Sequence, residues 1–166
     1  MATRRPPAIG WWGLLLVAAG AVLIVLSYYT FDWYGVGRGA DSAPETTFGN
    51  LRASIDQFGG ARAAEVYFDW LAWVLLIAVI LLGAVANVES RLTDLARIAG
   101  FVVGAAGIAV TYYALLQYSD AQADAGAARH NPLFNASWGL MTVLLGYALA
   151  AIGAVLGPRR RSSAPV

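Results

Sequence analysis

The chain is 166 residues long, 59% hydrophobic and 13% charged, with a mean hydropathy of +0.61 and a formal net charge of +1. Soluble domains carry about 25% charged residues, so this composition excludes an ordinary globular domain and points to a membrane protein with no nucleic-acid partner. Cysteine is absent, which excludes a disulfide framework, thiol catalysis and a cysteine metal site.

The first apolar run, 9–29, is long enough to cross a bilayer core of about 30 Å. Arg4 and Arg5 precede it, as in a secretory signal. No small-x-small cleavage site follows, and "RR" before "PPAIGWW" is a poor twin-arginine signal, so the run reads as an uncleaved anchor. It ends in the collar "LSYYTFDWYG", with Tyr28, Tyr29, Trp33 and Tyr34 where the apolar sequence stops.

The 30–69 connection is too long for a simple turn. Gly35 to Pro44 reads as irregular. In "FGNLRASIDQF", Phe48, Leu51, Ile55 and Phe58 recur at helical spacing, with Arg52, Asp56 and Gln57 on the other side. This predicts a short amphipathic helix that lies on the bilayer surface or caps the bundle. Gly59-Gly60 ends it, and "ARAAEVYF" is expected to extend the next span above the membrane.

The second span, 70–88, begins with Trp70 and Trp73, and Tyr67 and Phe68 just before it belong to the same outer aromatic belt. The short 89–97 connection holds Arg91 and Arg97. The third span, 98–118, carries Tyr112 and Tyr113 near its end, a second collar. The 119–137 loop contains Arg129 and the one histidine, His130, and reads as solvated. A formal glycosylation sequon at Asn135 lies too close to a span to be used. The fourth span, 138–156, opens on Trp138, and a tail covers 157–166.

Arginine bias sets the direction. Arg4, Arg5, Arg91, Arg97, Arg159, Arg160 and Arg161 fall on one side, and Arg38, Arg52, Arg62 and Arg129 on the other. Both termini are expected in the cytoplasm and the 30–69 and 119–137 loops outside. The collars then share one interface, where Tyr and Trp favour headgroup depth. The same residue types dominate partner-docking surfaces.

Small residues mark the expected helix contacts. Gly139, Gly146 and Gly153 are spaced by seven on the fourth span, Gly13 and Gly20 by seven on the first, and Gly100 and Gly104 form GxxxG on the third. "GLLLVAAG" and "GFVVGAAG", each followed by a Tyr-Tyr pair, suggest that the chain is two duplicated hairpins. The expected fold is therefore an all-α integral-membrane four-helix bundle, a single domain with a long first outer loop.

No ionisable residue interrupts a span, no paired histidines are available for haem, and no nucleotide or hydrolase motif occurs. Asp32 and Asp69 stand at equivalent outer positions, where they could form a carboxylate pair, but they read as helix-end acids. No catalytic, cofactor or metal residue is assigned. The layout of four spans, a long first outer loop and inner termini resembles that of claudin-like and other tetraspan proteins, and of small four-span membrane proteins of actinobacteria. The claudin cysteine pair is missing, so the resemblance does not extend to their junction-forming role. The all-arginine basic set and Ala/Gly richness suit a high-GC bacterium. The expected function is a non-enzymatic accessory or scaffold subunit of a larger complex in a bacterial plasma membrane, such as a lipid transporter, a respiratory assembly or cell-wall machinery. The alternative is a small protein that binds a lipid or another hydrophobic ligand in a cavity opening near Tyr28, Trp33, Trp70 and Trp138.

Overall fold

A computed structural model describes residues 8–34, 46–58, 61–124 and 138–158, with the side chains of Tyr34 and of 56–58 excepted. The elements in chain order are α1 (Trp11–Thr30), β1 (Asp32–Tyr34), β2 (Thr46–Thr47), α2 (Phe48–Phe58), α3 (Arg62–Val66), a π turn (Tyr67–Leu71), α4 (Ala72–Ala86), α5 (Thr93–Asp124) and α6 (Trp138–Val155). Four helices are long and apolar enough to cross a bilayer: α1, the continuous helix Arg62–Ala86, α5 and α6. This is the layout of a multi-pass membrane protein. Gly35 to Pro44, Gly59-Gly60, Arg129, His130, Asn135 and the terminal arginines lie outside the described residues, as does the side chain of Phe58.

The helices outrun the apolar sequence. The third was expected to begin at residue 98, but α5 starts at Thr93 and continues to Asp124. Its start is fixed by polar groups. The Leu92 N–H donates to Ser90 Oγ at 3.2 Å, and the Ser90 N–H donates to Thr93 Oγ1 at 2.8 Å. This is a reciprocal capping arrangement with threonine in the third position. Hydropathy marks membrane depth, whereas capping marks the helix, and here the two differ by more than a turn. The second helix likewise starts at Arg62, not Trp70, so "ARAAEVYF" does extend the span.

α1 and α6 form the closest pair, antiparallel and backbone to backbone. A Cβ added at Gly20 would lie 2.4 Å from the Gly146 carbonyl oxygen, and one at Gly146 would lie 2.7 Å from that of Gly20. Gly13 and Gly153 repeat the relation one heptad away, at 2.6 and 2.7 Å. One heptad in the other direction, Ser27 Oγ donates to the Gly139 carbonyl at 2.7 Å. Positions 13, 20 and 27 therefore meet 153, 146 and 139. Seven residues are close to two helical turns, so each set stays on one face. In lipid, dispersion contacts of this kind replace the hydrophobic drive that joins helices in water.

α5 joins the other side of α6 by a second small-residue seam. Gly100 faces the Ala154 methyl at 2.9 Å and Gly104 the Ala151 methyl at 2.7 Å, measured from the added Cβ. Gly107 makes room for the Tyr147 ring at 2.6 Å on the same measure. Between α4 and α1, Gly83 admits Val17. The contacts run around the bundle as α1, α6, α5, α4 and back to α1, with α4 and α6 touching across the middle. Exchanging the two hairpins would leave this order unchanged. The glycine seams do not follow that exchange, because both involve α6.

At the end opposite the collars, Asn87 locks three segments. It is fully buried. Its Nδ2 donates to the carbonyls of Gly83 at 2.8 Å and Gly153 at 3.0 Å, and its own carbonyl accepts the Gly10 N–H at 2.8 Å. Its Oδ1 has no hydrogen-bond donor and lies against Gly13, 1.9 Å from where a Cβ would stand. The Gly13 Cα hydrogen on that side fills the space as a weak C–H···O contact.

Two features at the collar end differ from an all-helical loop region. β1 and β2 form a short antiparallel ribbon, Asp32 opposite Thr47 and Tyr34 opposite Thr46. α2 buries Phe48, Leu51 and Ile55 in the same cluster as the four long helices. Its apolar face therefore caps the bundle.

Gly146→Leu places a branched side chain where only backbone can yield. Overpacking typically costs about 1–3 kcal/mol, and the upper end of that range is expected here. Leu145 is exposed, so Leu145→Ala should change stability by no more than about 0.5 kcal/mol. Thermal unfolding in detergent checks both, and equal effects would mean that the seam is not a contact.

Candidate functional site

The collar residues divide into an inward and an outward set. The division follows from helical geometry, because successive residues differ by about 100° around a helix of 3.6 residues per turn. Tyr28 is buried, whereas its neighbour Tyr29 is 72% exposed. Trp33, carried inward by β1, is fully buried. Trp70, Tyr113 and Trp138 are exposed, and Trp73 and Tyr112 are intermediate. Tyr34 belongs to β1, and its side chain lies outside the described set.

The inward set is an aromatic cluster. Tyr28 stacks on Phe48 with ring centroids 4.4 Å apart and meets Trp73 edge-on at 5.2 Å. Trp33 meets Phe48 at 5.2 Å and Phe68 at 5.7 Å, both in T-shaped contacts. Tyr67 and Phe68 are perpendicular at 5.1 Å. Offset and edge-to-face contacts of this kind are the favoured aromatic geometries. The Trp33 indole N–H donates to the Ser27 carbonyl at 2.9 Å, so its one polar atom is satisfied. Gly139 is required beside it, since an added Cβ there would lie 2.5 Å from the indole.

The π turn explains how Tyr67 and Phe68 both turn inward. The Ala72 N–H donates to the Tyr67 carbonyl, five residues back, instead of the usual four. The wider turn lets two consecutive aromatic rings enter the core, with Asp69 and Trp70 left outside. Such turns often sit at functional sites.

Beneath the rings, each of the four long helices contributes a hydroxyl. Thr111 Oγ1 donates to the Gly107 carbonyl at 2.6 Å, so Tyr67 must be the donor in its 2.7 Å bond to Thr111. Tyr28 donates to the Ala72 carbonyl at 3.3 Å, which leaves Tyr147 as donor to Tyr28, also at 3.3 Å. Both chains end on backbone carbonyls. They tie the four long helices together.

The expected cavity between spans near Tyr28 and Trp33 is occupied by these two side chains and their aromatic neighbours. A cleft of about 360 Å³ lies instead between α2 and the α3–π-turn segment, lined by Arg52, Ile55, Glu65, Val66, Phe68, Asp69 and Trp70. Arg52 forms an ion pair with Asp69 across it. Asp69 therefore faces arginine rather than Asp32, which pairs with Thr47 in the ribbon. Among the described residues, no three of His, Asp and Glu come together in a way that could hold a metal ion.

Sequence reasoning placed Tyr67 and Phe68 only among the outer-interface aromatics, whereas both are buried, and it missed Thr111, Tyr147 and Asn87. A usable signal existed for Thr111 and Tyr147, because hydroxyls inside apolar spans need partners. The burial of Trp33 had no comparable signal, since it depends on the ribbon. Scans against protein-family models and searches of curated proteins and solved structures returned no match.

Trp33→Ala removes a fully buried indole and its hydrogen bond, with an expected loss of about 3–5 kcal/mol. Trp138→Ala, on the outward set, should change stability by about 0.5 kcal/mol or less. Thermal melts of the two variants check this, and a neutral Trp33→Ala would remove the aromatic cluster from the account.

Proposed function

We propose that the chain is a non-enzymatic accessory or scaffold subunit of a larger complex in a bacterial plasma membrane, with both termini in the cytoplasm. The observation that carries this reading is the division of the collar. Tyr28 and Trp33 seal the bundle end, while Tyr29, Trp70, Tyr113 and Trp138 stand outward on all four long helices. A bundle end filled by packed aromatic rings favours a structural role over transport. Exposed Tyr and Trp are the residue types that anchor partner interfaces and headgroup contacts.

The arginine distribution supports the orientation, and the all-arginine, Ala/Gly-rich composition supports a bacterial source. Lipid transport, respiratory and cell-wall assemblies all remain suitable hosts. The alternative, a small lipid-binding protein, is favoured by the surface cleft rather than by a space between spans.

Purification in mild detergent at native expression should recover a larger partner in stoichiometric amount. Trp70→Ala with Trp138→Ala should lose that partner without lowering the melting temperature. Recovery of the wild type only as a monodisperse free protein contradicts the proposal. Reporter fusions after Arg161 and within 91–97 should be active only in the cytoplasm, and fusions within 121–129 only outside. An extracytoplasmic C-terminus would overturn the orientation.

A further inference from the structure

We propose that the cleft between α2 and the π turn binds the headgroup of an amine-bearing phospholipid of the phosphatidylethanolamine type. This inference rests on the cleft and not on the assembly reading, with which it shares Trp70.

The floor of the cleft is apolar and fixed, because Ile55 and Phe68 are buried in the core. The rim is charged. Arg52 and Asp69 pair across it with both side chains more than half exposed, 57% and 56%. A pair this exposed is weak and can open to a ligand. Glu65 lies one helical turn before Asp69 and has no cationic partner among the described residues. The rim thus offers one guanidinium, two carboxylates and the Trp70 ring.

These groups match the two charges of a phosphoethanolamine. A phosphodiester takes paired hydrogen bonds from the Arg52 guanidinium. The primary ammonium, with three N–H donors, is held between Glu65 and Asp69. Trp70 supplies a π face beside the ammonium. A choline headgroup has no N–H to donate, and a glycerol headgroup has no positive charge for the carboxylates.

A lipid, rather than a free phosphoamine, follows from what lies beneath. Trp70, Val74, Ile77 and Leu81 are all exposed on the same helix at spacings of four, three and four. They form an apolar track that starts at the mouth of the cleft and runs toward the other end of the bundle. Acyl chains can lie along it while the headgroup occupies the rim. The cleft's size falls within the range of about 300–1,000 Å³ common for small-molecule sites.

The test is native mass spectrometry of the full chain released from nanodiscs containing equal amounts of phosphatidylethanolamine, phosphatidylcholine and phosphatidylglycerol. Phosphatidylethanolamine should be retained about tenfold over each of the others, the scale expected from charge-assisted hydrogen bonds. Glu65→Gln should reduce its retention to the phosphatidylcholine level, and Arg52→Gln should reduce it at least as far. Both positions are exposed, and unchanged melting temperatures will show that the fold is kept. Equal retention of phosphatidylcholine would mean that only the apolar track binds, and equal retention of phosphatidylglycerol would mean an unspecific anion site. Either result overturns the proposal, as does indifference to Glu65→Gln. Free O-phosphoethanolamine binding as tightly as the lipid would remove the lipid from it. Partner recovery in the assembly experiment is not changed by any of these outcomes.

Discussion

The bundle depends on the approach of α1 and α6 at backbone distance. Gly13 with Gly153 and Gly20 with Gly146 are reciprocal contacts, in which each glycine leaves room for the other's carbonyl. The Ser27 hydroxyl and Gly139 carbonyl continue the line. At the four glycines nothing larger than hydrogen fits. Because small–small contact is the main attraction between helices in lipid, the seam sets the axial register of the first and last helices. All other contacts are built on that register.

Its two ends are finished differently. At one end, Gly13 leaves the volume in which the Asn87 amide can reach the Gly153 carbonyl, so the side chain ties α4 to α6, while the Asn87 backbone carbonyl holds the N-terminal segment through the Gly10 N–H. At the other, Gly139 opens the volume into which Trp33 folds. Trp33 then supports Phe48 and Phe68, and these hold α2 over the bundle end. The charged cleft forms where α2 meets the π turn, so its position depends on glycines within the spans. A shift of one heptad between α1 and α6 would dismantle it.

Much of this was legible in the sequence. The four spans and the seven-residue glycine spacing are direct consequences of bilayer thickness and helical pitch, and both sets of glycines lie in contacts. Phe48, Leu51 and Ile55, apolar positions of the amphipathic pattern, lie in the core cluster. What could not be read was direction. An aromatic collar looks the same in sequence whether its rings face lipid or the core. The phase of α1 turns Tyr28 inward and Tyr29 outward, and that phase is set by the glycine stripe, one step of reasoning away. Trp33 is beyond such reasoning because a ribbon, formed with residues 46–47, places it. The π turn at Tyr67–Leu71 is likewise invisible to a periodicity of 3.6. Asn87 hid at the end of an apolar run, where one amide looks like a simple terminator.

The central claim is the register of the α1–α6 seam, and the unmodified protein can report it. Solid-state NMR of the full chain in bilayers, labelled with glycine carrying 13C at Cα, records which glycines are near neighbours through space. The account predicts cross-peaks between Gly13 and Gly153 and between Gly20 and Gly146, each lost on replacing one member with alanine. A one-heptad shift would move the helices by about 10 Å, at a rise of about 1.5 Å per residue. Cross-peaks linking Gly13 to Gly146, or none between the two helices, would contradict the account.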